Sequence, residues 1–178
     1  TVIADIIKGK KNLYSRFAAK AEALLSTKKP KVFVITPIQG EKHGDQEQQR
    51  IFKEYDQRFE VVERVISEAG AIAIRIDKEH ALEDLVGRIK KEIRGAQFVV
   101  ADLTDERPSC YFEVGFAEAL NKKVIYMASK QSVAKPGTKT VIHFDIHMNM
   151  NYFTNHDELR EKLSSAIEKN RQALFEEG

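Results

Sequence analysis

The chain of 178 residues has no tryptophan and a single cysteine, Cys110. One cysteine excludes an internal disulfide and fits a reducing, cytoplasmic setting. No run approaches the roughly 18 apolar residues of a membrane span, and the amino-terminal segment lacks the apolar core of a secretory signal. The absence of Gly-x-Gly-x-x-Gly and Gly-Lys-Ser/Thr argues against a dinucleotide fingerprint or a P-loop. We therefore expect a cytoplasmic protein that makes no contact with membranes.

An excess of one charge is also absent, since the net formal charge is only +2. The first 31 residues nevertheless carry eight Lys or Arg against two carboxylates, so the remainder is acidic overall. Only Tyr14 and Phe17 interleave these cations, which is too few aromatic side chains for a nucleic-acid stacking platform. The pattern favours a solvated or subunit-facing helix over a phosphate-binding arm, and nucleic acid is not an expected partner.

The amino-terminal residues form a separate element in this prediction. Apolar residues recur at helical spacing from about Lys11 to Ser26, and Lys28-Lys-Pro30 ends the pattern. We assign residues 1–29 to an amphipathic helical extension and residues 30–178 to one α/β domain. A first residue other than Met suggests a trimmed or incomplete chain.

Short apolar runs alternate with helical apolar stripes along the rest of the chain. This alternation predicts a parallel sheet with helices on both faces. With five strands and right-handed crossovers, we expect a flavodoxin-like (Rossmann-like) fold of strand order 2-1-3-4-5. The predicted strands are Lys31–Thr36, Ala71–Ile76, Gln97–Ala101, Lys123–Met127 and Thr140–Phe144. Four helices are predicted in this domain. Two have apolar stripes at Ile51–Ile66 and Leu82–Ile93, the third spans Ser109–Asn121, and the last begins near Asp157.

Polar segments follow the first and third predicted strands. Ligands of open parallel sheets collect outside the carboxyl ends of the strands, where Thr36–Gly40 and Asp102–Glu113 would converge. The convergence predicts a small-molecule site. Glu113 and Asp102 are the catalytic candidates. Ser109 is also a candidate cap of the helix that carries Glu113. The substrate-binding candidates are Thr36, Pro37, Ile38, Gly40, Arg75, Asp77, Thr104 and Ser109.

The segment after the third strand also carries a recognisable pattern. It reads Asp102-Leu-Thr104, Pro108, Phe112-Glu-Val-Gly-Phe-Ala117 and then Lys122. It resembles the nucleoside 2-deoxyribosyltransferase-like domains and the related bacterial TIR-like domains, over about residues 31–170. The family often has Asn-Pro-Asn where this chain has Arg107-Pro-Ser109. If these residues contact the ligand, the substrate could differ from that of the family.

The resemblance implies cleavage of the N-glycosidic bond of a nucleoside, nucleotide or NAD, by hydrolysis or base exchange. Glu113 would stabilise the positive charge that develops on the ribose, or attack the anomeric carbon. Alternatively, the Glu113 carboxylate merely interacts favourably with the positive end of its helix. The alternative function is a TIR-like module that binds a nucleotide signal, or assembles with partners, without turnover. A role in bacterial nucleotide metabolism or anti-phage signalling, and a homo-oligomer, are further implications.

Several interpretations stay open for the remaining residues. Asp102 would hold a ribose hydroxyl or protonate the departing base, or it caps the following turn through an Asx-type hydrogen bond. Arg75 and Asp77 would grip a ribose or phosphate, or pair with each other, which we slightly favour. The five histidines lack zinc-binding spacing. We expect no metal and no cofactor, with NAD entering only as a substrate.

Overall fold

The computed structural model describes residues 29–37, 42–76, 84–143, 146 and 148–176. The helix predicted from about residue 11 to residue 26 lies outside them, and the proposed domain division stays a prediction.

A five-stranded sheet forms the centre of the molecule. Its strands are β1 (Lys31–Ile35), β2 (Ile72–Ile74), β3 (Phe98–Asp102), β4 (Val124–Ser129) and β5 (Met150–Phe153). All neighbouring strands pair in parallel, and their order is β2-β1-β3-β4-β5. The predicted flavodoxin-like class, with its strand order, is confirmed.

Helices cover both faces of the sheet, as predicted. On one face lie α1 (Gln46–Glu68), α4 (His156–Lys169) and the short α5 (Arg171–Phe175). On the other lie α2 (Leu85–Gly95) and α3 (Pro108–Ala119). Successive β3 residues alternate between the two cores: Val100 packs with the first group of helices and Ala101 with the second. None of the described helices is both long and apolar enough to cross a membrane.

The predicted position of the fifth strand, Thr140–Phe144, is wrong. Residues 140–143 are irregular. Thr140 instead donates its N–H to the carbonyl of Lys130, which closes a hairpin of residues 130–140 after β4. The edge strand is Met150–Phe153, whose Met150 pairs with Tyr126 of β4. Its mixed sequence, Met-Asn-Tyr-Phe, hides the strand because only Phe153 is fully buried.

Two of the described helices, α1 and α4, have the expected side-chain cap bond, whereas α2, α3 and α5 have none. The side chain of Asp45 accepts the N–H of Gln48 at the start of α1. The predicted cap at Ser109 is wrong, because α3 begins one residue earlier, at Pro108, with Arg107 in the cap position and no side-chain cap bond. Proline suits the first helical position since no intrahelical partner exists there for an N–H.

The turn after β3 anchors the hairpin after β4. Asp105 has a left-handed φ of 65°, which aspartate tolerates better than most residues. Its carboxylate accepts the backbone N–H groups of Val133 at 3.1 Å and Ala134 at 3.0 Å, and the hydroxyl of Tyr55 on α1. One side chain therefore joins α1, the β3 turn and the hairpin.

We expect Asp105→Ala to lower the free energy of unfolding by about 2–4 kcal/mol. The substitution removes these hydrogen bonds, and alanine tolerates a left-handed φ less well than aspartate does. Asp105→Asn keeps an acceptor and tolerates this φ, so its loss should be less than half as large. Urea unfolding of both variants measures the difference. Equal losses would contradict the anchoring role.

Candidate functional site

A pocket of about 190 Å³ opens beside the carboxyl ends of β1 and β2, against α2 and α3. Apolar side chains from β1, α2 and α3, and Ile76 just after β2, make most of its wall, with Leu85 and Ile89 contributed by α2. Its polar groups are four of the predicted site residues: Thr36, Arg75, Ser109 and Glu113. The fold thus brings residues distant in sequence to one cavity.

Glu113 lies on α3, and its partly buried side chain lines this pocket. Burial raises the pKa of its carboxyl from 4.5 to about 7, because the ionised form loses its hydration. A carboxyl with such a pKa exchanges its proton near neutral pH, which suits acid, base or nucleophilic chemistry.

Thr36 and Arg75 supply polar groups on the opposite wall. Thr36 is 8% exposed, and its buried Oγ1 has no hydrogen-bond partner among the described residues. The Arg75 guanidinium donates to Asp56 at 2.9 Å and lies 4.0 Å from the centre of the Phe59 ring. The hydroxyl is therefore an unsatisfied buried group at the pocket wall, while the guanidinium is held in place by α1.

Ser109 and Phe112 mark the outer edge of the pocket. Ser109 is exposed in the first turn of α3. Phe112 is 54% exposed, and the Lys90 ammonium of α2 lies 5.9 Å from its ring centre. An exposed aromatic face at the mouth of a pocket provides a surface on which a planar ligand group can stack.

Asp102 and Thr104 are placed differently from the other candidates. By strand alternation, Asp102 lies on the α1 side of the sheet, whereas α3 with Glu113 covers the other side. Asp102 Oδ1 accepts the Thr104 N–H at 2.9 Å, the Asx-type bond that the sequence left as an alternative. Its Oδ2 is 3.7 Å from Nη1 of the buried Arg58. Neither Asp102 nor Thr104 lines the Glu113 pocket.

Three of the predicted binding residues, Ile38, Gly40 and Asp77, lie outside the described residues. Pro37 is buried beside Thr36. Arg58 was missed by the sequence analysis, although a charge between Tyr55 and Val62 on the apolar stripe of α1 was the available signal.

Other cavities lie apart from these residues. One of about 780 Å³ beside β4, β5 and α4 is lined by none of the predicted site residues. Within the part of the chain that the structure describes, no group of three or more His, Cys, Asp or Glu side chains forms a candidate metal site.

Comparisons with known proteins give fold-level likenesses only. No protein-family model matches the sequence, and no curated protein matches it. A 2-deoxyribosyltransferase from Bacillus psychrosaccharolyticus is 15% identical with a TM-score of 0.49, covering 73% of this chain and 90% of its own. A CMP N-glycosidase from Clostridium botulinum is 16% identical with a TM-score of 0.46, covering 78% of this chain and 98% of its own. Likenesses this distant carry nothing about the reaction.

The raised pKa of Glu113 predicts a pH-dependent effect of Glu113→Gln on stability. Between pH 4.5 and about 7 the unfolded chain releases this proton while the folded protein retains it, so wild-type stability falls as pH rises. We expect Glu113→Gln to exceed wild type in free energy of unfolding by about 1–3 kcal/mol at pH 8, and by almost nothing at pH 4.5.

Urea unfolding at the two pH values measures this difference. Glu118→Gln is the matched control, because Glu118 lies on the same helix but bonds to Tyr126 outside the pocket. A gain for Glu113→Gln that is equal at both pH values would show that its carboxyl is not desolvated.

Proposed function

We propose that the chain cleaves the N-glycosidic bond of a nucleoside, nucleotide or NAD, by hydrolysis or base exchange, with Glu113 as its central carboxylate. The observation that carries the proposal is the partly buried Glu113 side chain lining a small pocket at the carboxyl edge of a parallel sheet. The resemblance of the surrounding motif to deoxyribosyltransferase-like domains, carried by Asp102-Leu-Thr104 and Phe112–Ala117, supports the choice of reaction.

The chemistry follows from the charge that develops in the reaction. As the base departs, positive charge grows on the ribose ring, and a carboxylate at the anomeric carbon stabilises that charge or forms a glycosyl ester. A water molecule or a second base then resolves the ester. Desolvation strengthens the attraction between the carboxylate and the ribosyl cation, because less water screens it. The low hydration of Glu113 is thus an advantage once the cation forms.

The other pocket residues support binding roles. The buried Oγ1 of Thr36 has no partner among the described residues, which supports its predicted role in binding a sugar hydroxyl. Phe112 offers its exposed ring to the base. Ser109 and Arg75 line the pocket and stay predicted ligand contacts, with Arg75 suited to an anionic substituent. The roles of Pro37, Ile38, Gly40 and Asp77 stay predictions.

Asp102 and Thr104 fit a positioning role better than a direct one. Their side chains bond to each other and to Arg58, on the side of the sheet away from α3. Their predicted contacts with substrate would need a ligand that reaches past the end of β3.

The competing function is a TIR-like module that binds a nucleotide without turning it over. The internal engagement of Asp102 favours it, because that carboxylate was the candidate acid for the departing base. Saturable nucleotide binding by wild type, with no released base at high protein concentration, would support the module and contradict the enzyme.

Incubation with NAD, nucleosides and deoxynucleoside monophosphates, followed by chromatography, tests the proposal. We expect wild type to release nicotinamide or a free base, and Glu113→Gln to lose at least about 100-fold in rate, as expected for loss of an essential carboxylate. Glu118→Gln should retain wild-type activity. Equal release by wild type and Glu113→Gln would remove Glu113 from the mechanism.

The pH profile of the active substrate assigns the working form of Glu113. A nucleophile must be ionised, so kcat/KM should rise with pH and level off above about 7. A profile that instead falls through this range would identify a proton donor and contradict the nucleophilic role.

A further inference from the structure

A second cavity, of about 540 Å³, lies at the carboxyl ends of β4 and β5. It shares no lining residue with the Glu113 pocket. We propose that this cavity binds the phosphate group of a phosphate monoester. Its lining residues are Lys130, Gln131, Lys139, Thr140, Tyr152 and Thr154.

Two lysines define the charge of this cavity. Lys130 follows the last residue of β4, and Lys139 returns on the other arm of the hairpin. The arms are joined by an antiparallel bridge between Gln131 and Lys139, and by the Thr140 N–H bond to the Lys130 carbonyl at 3.1 Å. Backbone pairing therefore holds both lysine residues at the wall of one cavity.

Neither lysine is neutralised within the described part of the chain, where no ion pair involves Lys130 or Lys139. Glu158, a carboxylate close to the cavity residue Thr154, is already held by the Thr154 N–H and by Lys162. Two lysines without an ion pair at the wall of one cavity favour a doubly charged anion, and lysine is a common phosphate ligand.

The hairpin that carries the lysines is anchored. The Asp105 carboxylate holds the N–H groups of Val133 and Ala134, and the Arg50 guanidinium donates to the Val133 carbonyl. An anchored hairpin loses little conformational freedom when a ligand binds, so more of the electrostatic attraction appears as affinity.

The other lining residues indicate an ester rather than free phosphate. The cavity volume falls within the range of roughly 300–1,000 Å³ that is typical of small-molecule sites. This volume is larger than a phosphate ion fills. Tyr152 adds a partly buried aromatic residue to the wall. Thr140 Oγ1 is buried and has no hydrogen-bond partner among the described residues, and Thr140 lines the cavity, so its hydroxyl is a candidate donor to a ligand oxygen.

Isothermal titration calorimetry with phenyl phosphate, ribose 5-phosphate and inorganic phosphate tests the proposal. We expect saturable binding of both esters by wild type, and weaker binding of inorganic phosphate. The double substitution Lys130→Gln with Lys139→Gln should weaken ester binding at least 10-fold. Lys135→Gln is the matched control, because Lys135 is exposed on the same hairpin but does not line the cavity.

Unchanged ester affinity in the double variant, or no saturable binding by wild type, would overturn the proposal. Inorganic phosphate binding as tightly as the esters would overturn the ester assignment. Glu113→Gln should bind phenyl phosphate, which has no sugar, with wild-type affinity, and a loss there would contradict a separate cavity. This result does not depend on N-glycosidase activity, so either proposal can fail alone.

Discussion

The hydroxyl of Thr104 fixes how the chain leaves the centre of the sheet. It donates to Asp102 Oδ1 at 2.5 Å and accepts from Arg58 Nη1 at 3.0 Å and from the Ser129 N–H at 2.8 Å. These three bonds use all the capacity of a hydroxyl group, and the residue is 0% exposed. They tie the end of β3 to α1 and to the end of β4. The turn, α3 and the hairpin after β4 all start from this point.

The two halves of the carboxyl edge then take on different character. Past the Thr104 turn, α3 carries Glu113 into a small, mostly apolar pocket, where burial raises the pKa of its carboxyl to about 7. On the other side of β3, the Asp105 carboxylate fixes a hairpin that presents Lys130 and Lys139 to a second cavity. One half therefore suits a developing cation and the other half an anion.

Much of this arrangement was predictable from local patterns. The buried run Phe98–Ala101, the stripe of α1 and the alternation of elements gave the correct sheet order, because each depends on neighbouring residues. The position of β5 was not predictable, since the polar Met150–Phe153 is a strand only through its pairing with β4. The bonds of Thr104 were equally hidden, because Arg58 and Ser129 come from distant elements. Glu113 was predicted as a site residue, but the desolvation of its carboxyl by burial was not.

The central claim is that Glu113 is a desolvated carboxyl poised near neutral pH, and a carbon-13 NMR titration of the glutamate carboxyl groups tests it most directly. One glutamate should titrate near pH 7, well above the rest, and its signal should be missing from Glu113→Gln. If every glutamate instead titrates below about pH 5.5, the carboxyl of Glu113 is ordinarily hydrated and is not poised near neutral pH.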